Sequence, residues 1–214
     1  MDNKKNYDNF LRERKRTRFF FNLVSIVYPV IEHHLFPEYR RTIKKLNLPK
    51  GLTVLDVGTG SGILAAAFSK QGYRVKGYDF SEKLLKRAQK KFPEIIFKTF
   101  DLYDISQIPS NSYDIVSSGY LLHGLSPHFR EIVLQNMSRI SSRFIVVFDY
   151  CCRGNWFIRF TEWIEGPYYS QYISTSRDQE FDAAGLQIER SFQTSNFGNV
   201  WLCTKKREMS HSSF

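Results

Sequence analysis

The stretch VLDVGTGSG, residues 54–62, places an acid and three glycines at alternate positions after an apolar run. The acid is Asp56, and the glycines are Gly58, Gly60 and Gly62. Because glycine has no Cβ, a turn built from it lets backbone N–H groups come close to a bound molecule. When such a turn opens a helix, its unpaired N–H groups favour a polar or anionic group. The stretch therefore predicts a ligand-binding turn, although a tight turn without a ligand uses similar glycines.

A second acid indicates what the ligand contains. Asp79 ends the run RVKGYD and stands 21 positions after Gly58. A carboxylate at the end of a neighbouring strand can accept hydrogen bonds from both hydroxyls of a ribose. Dinucleotide-binding proteins need a further glycine three positions after the second one, and Ile63 stands there instead. Together with the lack of a Tyr-x-x-x-Lys pair, this spacing disfavours a nicotinamide-dependent oxidoreductase.

One histidine could carry acid–base chemistry. His123 lies in LLHGL, directly after a predicted strand, and a histidine can act as a general base near neutral pH. A structural role is the alternative. His33 and His34 are adjacent on a predicted helix and so point in different directions. None of the three cysteines has CxxC spacing, so no metal site is predicted.

Short β-branched runs alternate with helical patterns from Thr53 onward, as in βαβ units with a parallel sheet. The predicted strands are Thr53–Val57, Arg74–Asp79, Ile95–Phe100, Tyr113–Ser118 and Arg143–Tyr150, and the predicted helices lie near Ser61–Lys70, Ser81–Phe92 and Pro127–Ile140. A further helix ends at Gly185, and residues 186–195 and 200–206 predict a closing antiparallel hairpin. The pattern is that of an α/β fold.

Length and composition favour one main folded domain. The chain has 214 residues, of which 42% are hydrophobic and 24% charged. The formal charge of +10 favours anionic partners, although the cations of the helix near Ser81–Phe92 fall on one face, as in a solvated helix. An odd cysteine count indicates a reducing compartment. The apolar stretch Phe19–Ile31 is too short for a membrane span, and neither a secretory signal nor a transit peptide fits, so a cytoplasmic location is predicted.

The order of these motifs resembles that of class I S-adenosylmethionine-dependent methyltransferases. VLDVGTGSG resembles their first motif, GYDFS the acidic second-strand motif, FDLYDI the third and YDIVSSGYLLHGL the fourth, and the hairpin resembles their reversed seventh strand. The resemblance covers residues 46–206 and is specific for fold and cofactor, but not for substrate. It implies a Rossmann-like, doubly wound, seven-stranded sheet that is mostly parallel, and S-adenosyl-L-methionine as the cofactor.

The same resemblance implies which residues bind that cofactor. They are Asp56, Gly58, Thr59, Gly60, Gly62, Asp79, Phe80, Asp101, Leu102, Gly119 and Tyr120. The glycine-rich turn would approach the methionine and ribose portions, and Asp56 would act near the methionine amino group through water or the turn backbone.

The remaining implied roles divide between the adenosine and the acceptor. Asp79 would hold the ribose hydroxyls, Phe80 would pack on the adenine, and Asp101, with Leu102 beside it, would accept from the adenine amino group. For Asp101 an ordinary loop or helix-capping acid is the alternative. Gly119 and Tyr120 would line the methionine end and the acceptor.

The sequence of the fourth motif disfavours some classes of methyl acceptor. It reads SSGY where enzymes that methylate amino groups of bases or glutamine usually have Asn/Asp-Pro-Pro-aromatic, and no cysteine follows a proline as in C5-cytosine enzymes. The prediction is in-line methyl transfer to a small acceptor of hydrophobic or lipid-like character, without specific nucleic-acid binding. An RNA- or protein-directed methyltransferase recruited by basic charge and a non-catalytic cofactor-binding scaffold are the alternatives.

The N-terminal segment has an apolar stripe at helical spacing. Its members are Phe20, Leu23, Val24, Val27, Val30, Ile31 and Leu35. Pro29 would kink or break this helix. The segment either packs as a plain cover or forms a lid that places Tyr28 near the transferring methyl group and an Arg-rich leader on anionic lipid headgroups, an arrangement loosely similar to quinone-biosynthesis and phospholipid methyltransferases. The predicted organisation is a cover at residues 1–45, a methyltransferase domain at 46–207 and a flexible tail at 208–214.

Overall fold

The structure is a computed structural model that describes residues 28–154 and 168–206. Its strands are β1 (Thr53–Val57), β2 (Arg74–Asp79), β3 (Ile96–Thr99), β4 (Tyr113–Gly119), β5 (Ser141–Tyr150), β6 (Leu186–Gln193) and β7 (Gly198–Lys205). Its α-helices are α1 (Tyr28–Leu46), α2 (Ile63–Ser69), α3 (Glu82–Lys91), α4 (Pro127–Ile140), α5 (Tyr168–Ser174) and α6 (Arg177–Ala183), with 3₁₀ helices at Leu102–Gln107 and Leu122–Gly124.

The seven strands form one sheet in the order β3-β2-β1-β4-β5-β7-β6. The pairs β3–β2, β2–β1, β1–β4 and β4–β5 are parallel, and β7 is antiparallel to both β5 and β6. The strand order reverses between β1 and β4, which is where an open parallel sheet binds ligands beyond its carboxyl edge. The predicted α/β fold with an antiparallel C-terminal hairpin is confirmed.

Several element boundaries differ from the predicted ones by one or two residues, and two of these differences have a clear local reason. The helix predicted near Ser61 begins at Ile63, because Gly62 before it has a left-handed φ of 79°. The strand predicted from Ile95 begins at Ile96, because the Ile95 N–H donates to Phe92 O in the turn that ends α3.

Side-chain composition explains how α3 forms and which face it buries. Its N-cap is Ser81, whose hydroxyl accepts from Leu84 N at 3.4 Å, and Glu82 in the first turn complements the helix dipole. Leu84, Leu85 and Ala88 are buried on the sheet. The helix therefore packs by its apolar face and leaves its many lysines in solvent.

Successive residues of a strand belong to two different hydrophobic clusters, one on each face of the sheet. In β1, Leu55 joins the cluster that contains Val133 of α4, whereas Val54 joins the cluster that contains Phe68 of α2 and Ile43 of α1. This alternation follows from the two-residue period of a strand. Both faces are covered, as a doubly wound sheet requires.

The second half of α1 is part of the core. Tyr39, Ile43 and Leu46 are buried in the same cluster as α2, and Leu35 packs against that cluster. Residues 20–27 of the predicted apolar stripe lie outside the described residues, as do residues 208–214 of the predicted tail. The division into a cover and a methyltransferase domain stays a prediction.

The N-terminal helix α1 contains two prolines. Pro29 lies in the first turn of α1, where proline is tolerated, and Pro37 lies inside the helix. The predicted kink or break at Pro29 also involves residues before Tyr28, and these lie outside the described ranges. In residues 28–154 and 168–206, no helix is long and apolar enough to cross a membrane.

Gly62 offers a test of the turn before α2. Its φ is 79°, and a Cβ built on it would lie 2.6 Å from Cζ of Phe97. We expect Gly62→Ala to lower the free energy of unfolding by about 3 kcal/mol, because left-handed strain and overpacking add. Gly72 also has a left-handed φ, 87°, but has open space around it. Gly72→Ala should cost about 1 kcal/mol. Equal losses in urea unfolding would show that the contact with Phe97 is unimportant.

Candidate functional site at the carboxyl edge of the sheet

The glycine-rich turn after β1 is built from left-handed residues. Gly58, Gly60 and Gly62 have φ values of 66°, 53° and 79°, which L-residues with side chains rarely adopt. The turn is tied to β2, because Thr59 N donates to Tyr78 O at 3.0 Å. The predicted turn therefore needs its glycines for backbone conformation.

Asp56 supports this turn from inside the protein. Its carboxylate is fully buried and accepts from Thr59 Oγ1 at 2.6 Å and from Ser117 Oγ of β4 at 2.9 Å. Burial raises its pKa to about 7, against the lowering effect of these hydroxyl donors. Asp56 thus joins the turn to the neighbouring strand β4.

Asp79 holds the turn from the end of β2. One carboxylate oxygen accepts from Gly60 N and the other from Ser81 N, both at 2.8 Å. Burial raises its pKa to about 6, while the backbone donors oppose the shift. The side chain is therefore fixed between the glycine-rich turn and the start of α3.

The residues implied for the adenine side follow β2 and β3 at the same edge. Phe80 is half-buried directly after β2. Asp101 follows β3 by two positions, and the buried Leu102 begins a 3₁₀ helix. The Phe100 N–H donates to Asp79 O at 2.8 Å, so the end of β3 is held beside β2.

The end of β4 is crowded and strained. A Cβ on Gly119 would lie 2.8 Å from Oη of Tyr39 in α1. Tyr120 has a left-handed φ of 49°, which is uncommon for a residue with a bulky side chain. Burial raises the pKa of Tyr120 well above its ordinary value, and the negative charges of Glu38 and Asp149 add to this effect. Such strain tends to cluster at functional sites.

His123 is buried and paired with an acid at the end of β5. Its Nδ1 lies 2.6 Å from one carboxylate oxygen of Asp149, which is fully buried. That carboxylate also accepts from the backbone N–H groups of Leu122, His123 and Tyr150 at 2.8, 3.3 and 2.8 Å. Since the carboxylate acts as an acceptor throughout, Nδ1 is the donor, and the lone pair of a neutral ring is on Nε2.

Four tyrosine rings surround this pair. Their centroids lie 4.8 Å (Tyr150), 6.2 Å (Tyr169), 6.2 Å (Tyr172) and 6.5 Å (Tyr120) from that of His123. Tyr172 is itself packed under Arg177, whose guanidinium carbon lies 3.7 Å from its ring centroid. Sequence reasoning missed Asp149, Tyr169 and Tyr172. The acid at the end of the fifth strand and the aromatic-rich stretch YYSQY are signals that could have indicated them.

Other candidate residues are not brought into the described site. Tyr28 is the first residue of α1, and its side chain lies outside the described residues. His33 and His34 are exposed on the same helix. Within residues 28–154 and 168–206, no group of three or more His, Cys, Asp or Glu side chains could hold a metal ion.

Comparison with known proteins shows what this chain is similar to. Residues 54–142 match the family model described as a methyltransferase domain. The fold is similar to that of a TehB-like SAM-dependent methyltransferase from Corynebacterium glutamicum, with 26% identity, 79% of this chain and 88% of that chain covered, and a TM-score of 0.58. Residues 54–142 thus form a methyltransferase domain, and the chain has the fold of S-adenosylmethionine-dependent methyltransferases.

Curated relatives of this methyltransferase share part of its length. An uncharacterised methyltransferase of Schizosaccharomyces pombe is 35% identical over 101 residues, 46% of this chain and 39% of that protein. Demethylmenaquinone methyltransferase of Chlorobaculum tepidum is 32% identical over 119 residues, 51% of this chain and 49% of that protein. The matches therefore span about half or less of these relatives.

S-adenosyl-L-methionine is the cofactor of this methyltransferase family, and the residues at the carboxyl edge fit it. The left-handed glycines leave the turn without side chains that would cover its backbone. Two buried serine hydroxyls, those of Ser61 and Ser118, have no hydrogen-bond partner among the described residues. Buried hydroxyls are normally hydrogen-bonded, so both are available to a ligand with polar groups.

Proposed function

We propose that this methyltransferase transfers the methyl group of S-adenosylmethionine to a small, hydrophobic acceptor by in-line displacement. The observation that carries the proposal is the buried His123–Asp149 pair, enclosed by tyrosines at the same sheet edge as the glycine-rich turn. One part of this edge suits a nucleoside, and the other suits an apolar molecule that has a proton to lose.

The cofactor would be held by the residues around the turn. We assign the ribose hydroxyls to Asp79, whose carboxylate lies at the end of β2 directly beside the glycine-rich turn. The backbone of Gly58, Thr59, Gly60 and Gly62 would approach the methionine and ribose portions, with Asp56 acting through that backbone. Phe80, Asp101 and Leu102 would contact the adenine, and Gly119 and Tyr120 the methionine end.

On the acceptor side, the chain would position the acceptor and remove its proton. When bound, the cofactor supplies an electrophilic methyl group on a sulfonium, so the protein mainly needs to align the reactants and exclude water. His123 would accept the acceptor's proton at Nε2. Asp149 would keep the proton on Nδ1 and stabilise the imidazolium that forms.

The surroundings of His123 support an apolar acceptor. The ring centroids of Tyr150 and Tyr169 lie 5.3 Å apart, and both rings are in T-shaped contact with His123, so aromatic side chains line the space beside the base. Demethylmenaquinone methyltransferase, a partial relative, is named for a quinone-type acceptor. We place Tyr28 and the N-terminal segment over this acceptor as a lid, an assignment that concerns side chains outside the described residues.

The experiment that tests this function follows the methyl group. Full-length protein is incubated with S-adenosylmethionine tritiated in the methyl group and with a cell extract, which is then separated into organic-soluble, protein and nucleic-acid fractions. The proposal expects enzyme-dependent label in a small organic-soluble compound. Label in RNA or protein would favour macromolecule-directed transfer, and no label in any fraction would favour a non-catalytic scaffold.

Cofactor affinity should depend on pH through Asp79. Its pKa is raised to about 6 in the unliganded protein, whereas the ribose hydroxyls donate to the ionised carboxylate. Binding therefore releases a proton, and affinity for S-adenosylhomocysteine should fall about tenfold per pH unit below 6 and level off above 7. Calorimetry across this range is the measurement, with Asp79→Asn expected to flatten the profile. A flat wild-type profile would contradict the role given to Asp79.

We also propose peripheral contact with anionic membranes through the basic leader within residues 1–27. Full-length protein should then co-sediment with phosphatidylserine liposomes. Raising the salt concentration should release it, because salt screens the attraction between the basic leader and the anionic headgroups. The matched control is the chain lacking residues 1–27, which keeps α1 whole and should stay in the supernatant. Equal sedimentation of both forms, or of neither, would refute the membrane role of this leader.

A further inference from the structure

The outer strand β3 presents an exposed apolar side chain at a sheet edge. β3 is the end strand of the sheet and pairs with β2, and no strand among the described residues pairs with its other side. Ile96 of this strand is 60% exposed, and no other large hydrophobic side chain in the described ranges is mostly exposed. An edge strand carries a row of backbone N–H and C=O groups that can pair with another strand.

A groove of about 810 Å³ opens along one face of β2 and β3. Lys76 pairs in register with Ile96, and Tyr78 with Lys98, so these four side chains share that face. The face is open because the β3–β4 connection has the short 3₁₀ helix Leu102–Gln107 where the other parallel connections have α2, α3 and α4. An extended chain beside β3 would therefore meet a groove on this face rather than a covering helix.

The strands β2 and β3 and the helix α3 between them carry strong positive charge. Residues 74–100 contain eight cations against three carboxylates, and one of these carboxylates, Asp79, is buried. The exposed cations are Arg74, Lys76, Lys83, Lys86, Arg87, Lys90, Lys91 and Lys98. We name the outer edge of β3, with Ile96, Lys98 and the in-register Lys76, the β3 edge surface; the cations of α3 add to the positive field around it.

We propose that the β3 edge surface binds an acidic, extended segment of a partner protein, which adds a strand beside β3. A peptide backbone can pair with the edge N–H and C=O groups, alternate acidic side chains can reach the cations, and an apolar residue between them can cover Ile96. The phosphates of RNA or of a lipid surface match the cations but leave the edge groups and Ile96 unmatched. A second copy of this chain is disfavoured, because two such edges would bring like charges together.

A peptide selection tests this surface without any need for an acceptor or for methyl transfer. Short random peptides displayed on phage are selected against the full-length protein, and enriched peptides are synthesised and titrated by fluorescence anisotropy. We expect enrichment of peptides that alternate acidic and β-branched residues. N-methylation of their backbone at alternate positions should abolish binding, and hydrogen exchange should slow in residues 96–99.

Two variants and a matched control locate the binding. Ile96→Glu and Lys98→Glu should each weaken peptide binding at least about tenfold, since both residues are exposed and replaceable without loss of core. Arg143→Glu makes the same charge change as Lys98→Glu at an exposed position of β5 and should alter binding less than about twofold. No enriched peptide, equal binding by the Ile96 variant, or Ile96-dependent binding of an RNA oligonucleotide or of anionic liposomes instead would each overturn the proposal.

Discussion

Replacing His123 by alanine is expected to slow methyl transfer by about 10²–10⁴-fold while leaving the affinity for S-adenosylhomocysteine unchanged. The imidazole is fixed by Asp149 at 2.6 Å and packs beside Tyr150, and none of the cofactor contacts that we assign uses its side chain. Transfer of tritiated methyl to the organic-soluble product measures the first quantity, and calorimetry measures the second.

Two further variants separate catalysis from packing. His128 is exposed on α4, so His128→Ala should transfer at the wild-type rate. Asp149→Asn should also slow transfer and change the pH–rate profile, because an amide no longer holds the proton on Nδ1. Unchanged turnover in a folded His123→Ala protein would refute the general-base role.

Asp79→Ala should weaken S-adenosylhomocysteine binding by about 1.5–3 kcal/mol, the usual cost of losing hydrogen bonds to a charged group. The same substitution removes the acceptor of Gly60 N and Ser81 N, so the turn itself should also loosen. Asp104→Ala is the matched control, because Asp104 is exposed in the 3₁₀ helix Leu102–Gln107 and should bind as the wild type does.

Calorimetry on variants shown to be folded by circular dichroism gives the comparison. Equal affinity of the Asp79 and Asp104 variants would contradict the assignment of the ribose to the end of β2. A loss confined to Asp79→Ala would support it, and the pH profile of the wild type should then follow the same carboxylate.

Local signals explain why much of the fold was predictable. The bounds of β1, β2 and α4 are those predicted, because short apolar runs that end at an acid or glycine mark the strands and Pro127 marks the start of α4. The start of β3 was wrong by one residue and that of α2 by about two. Both depend on a turn hydrogen bond or a left-handed φ, which composition does not encode.

The candidate site also has one part that the sequence predicts and another part that it does not. The glycine-rich turn and Asp79 stand in contiguous motifs, so their proximity could be inferred from strand order alone. Asp149 lies 26 residues from His123, and Tyr169 and Tyr172 come from a helix after β5, so no periodicity links them. Their convergence results from the tertiary packing of β4, β5 and α5, which a single sequence does not display.

A crystal structure of the full-length protein with S-adenosylhomocysteine tests the central claim most directly. The account predicts both ribose hydroxyls within about 3 Å of the Asp79 carboxylate and the sulfur directed toward Tyr120 and His123. A nucleoside bound away from β2, or a sulfur that points away from the His123–Asp149 pair, would contradict it.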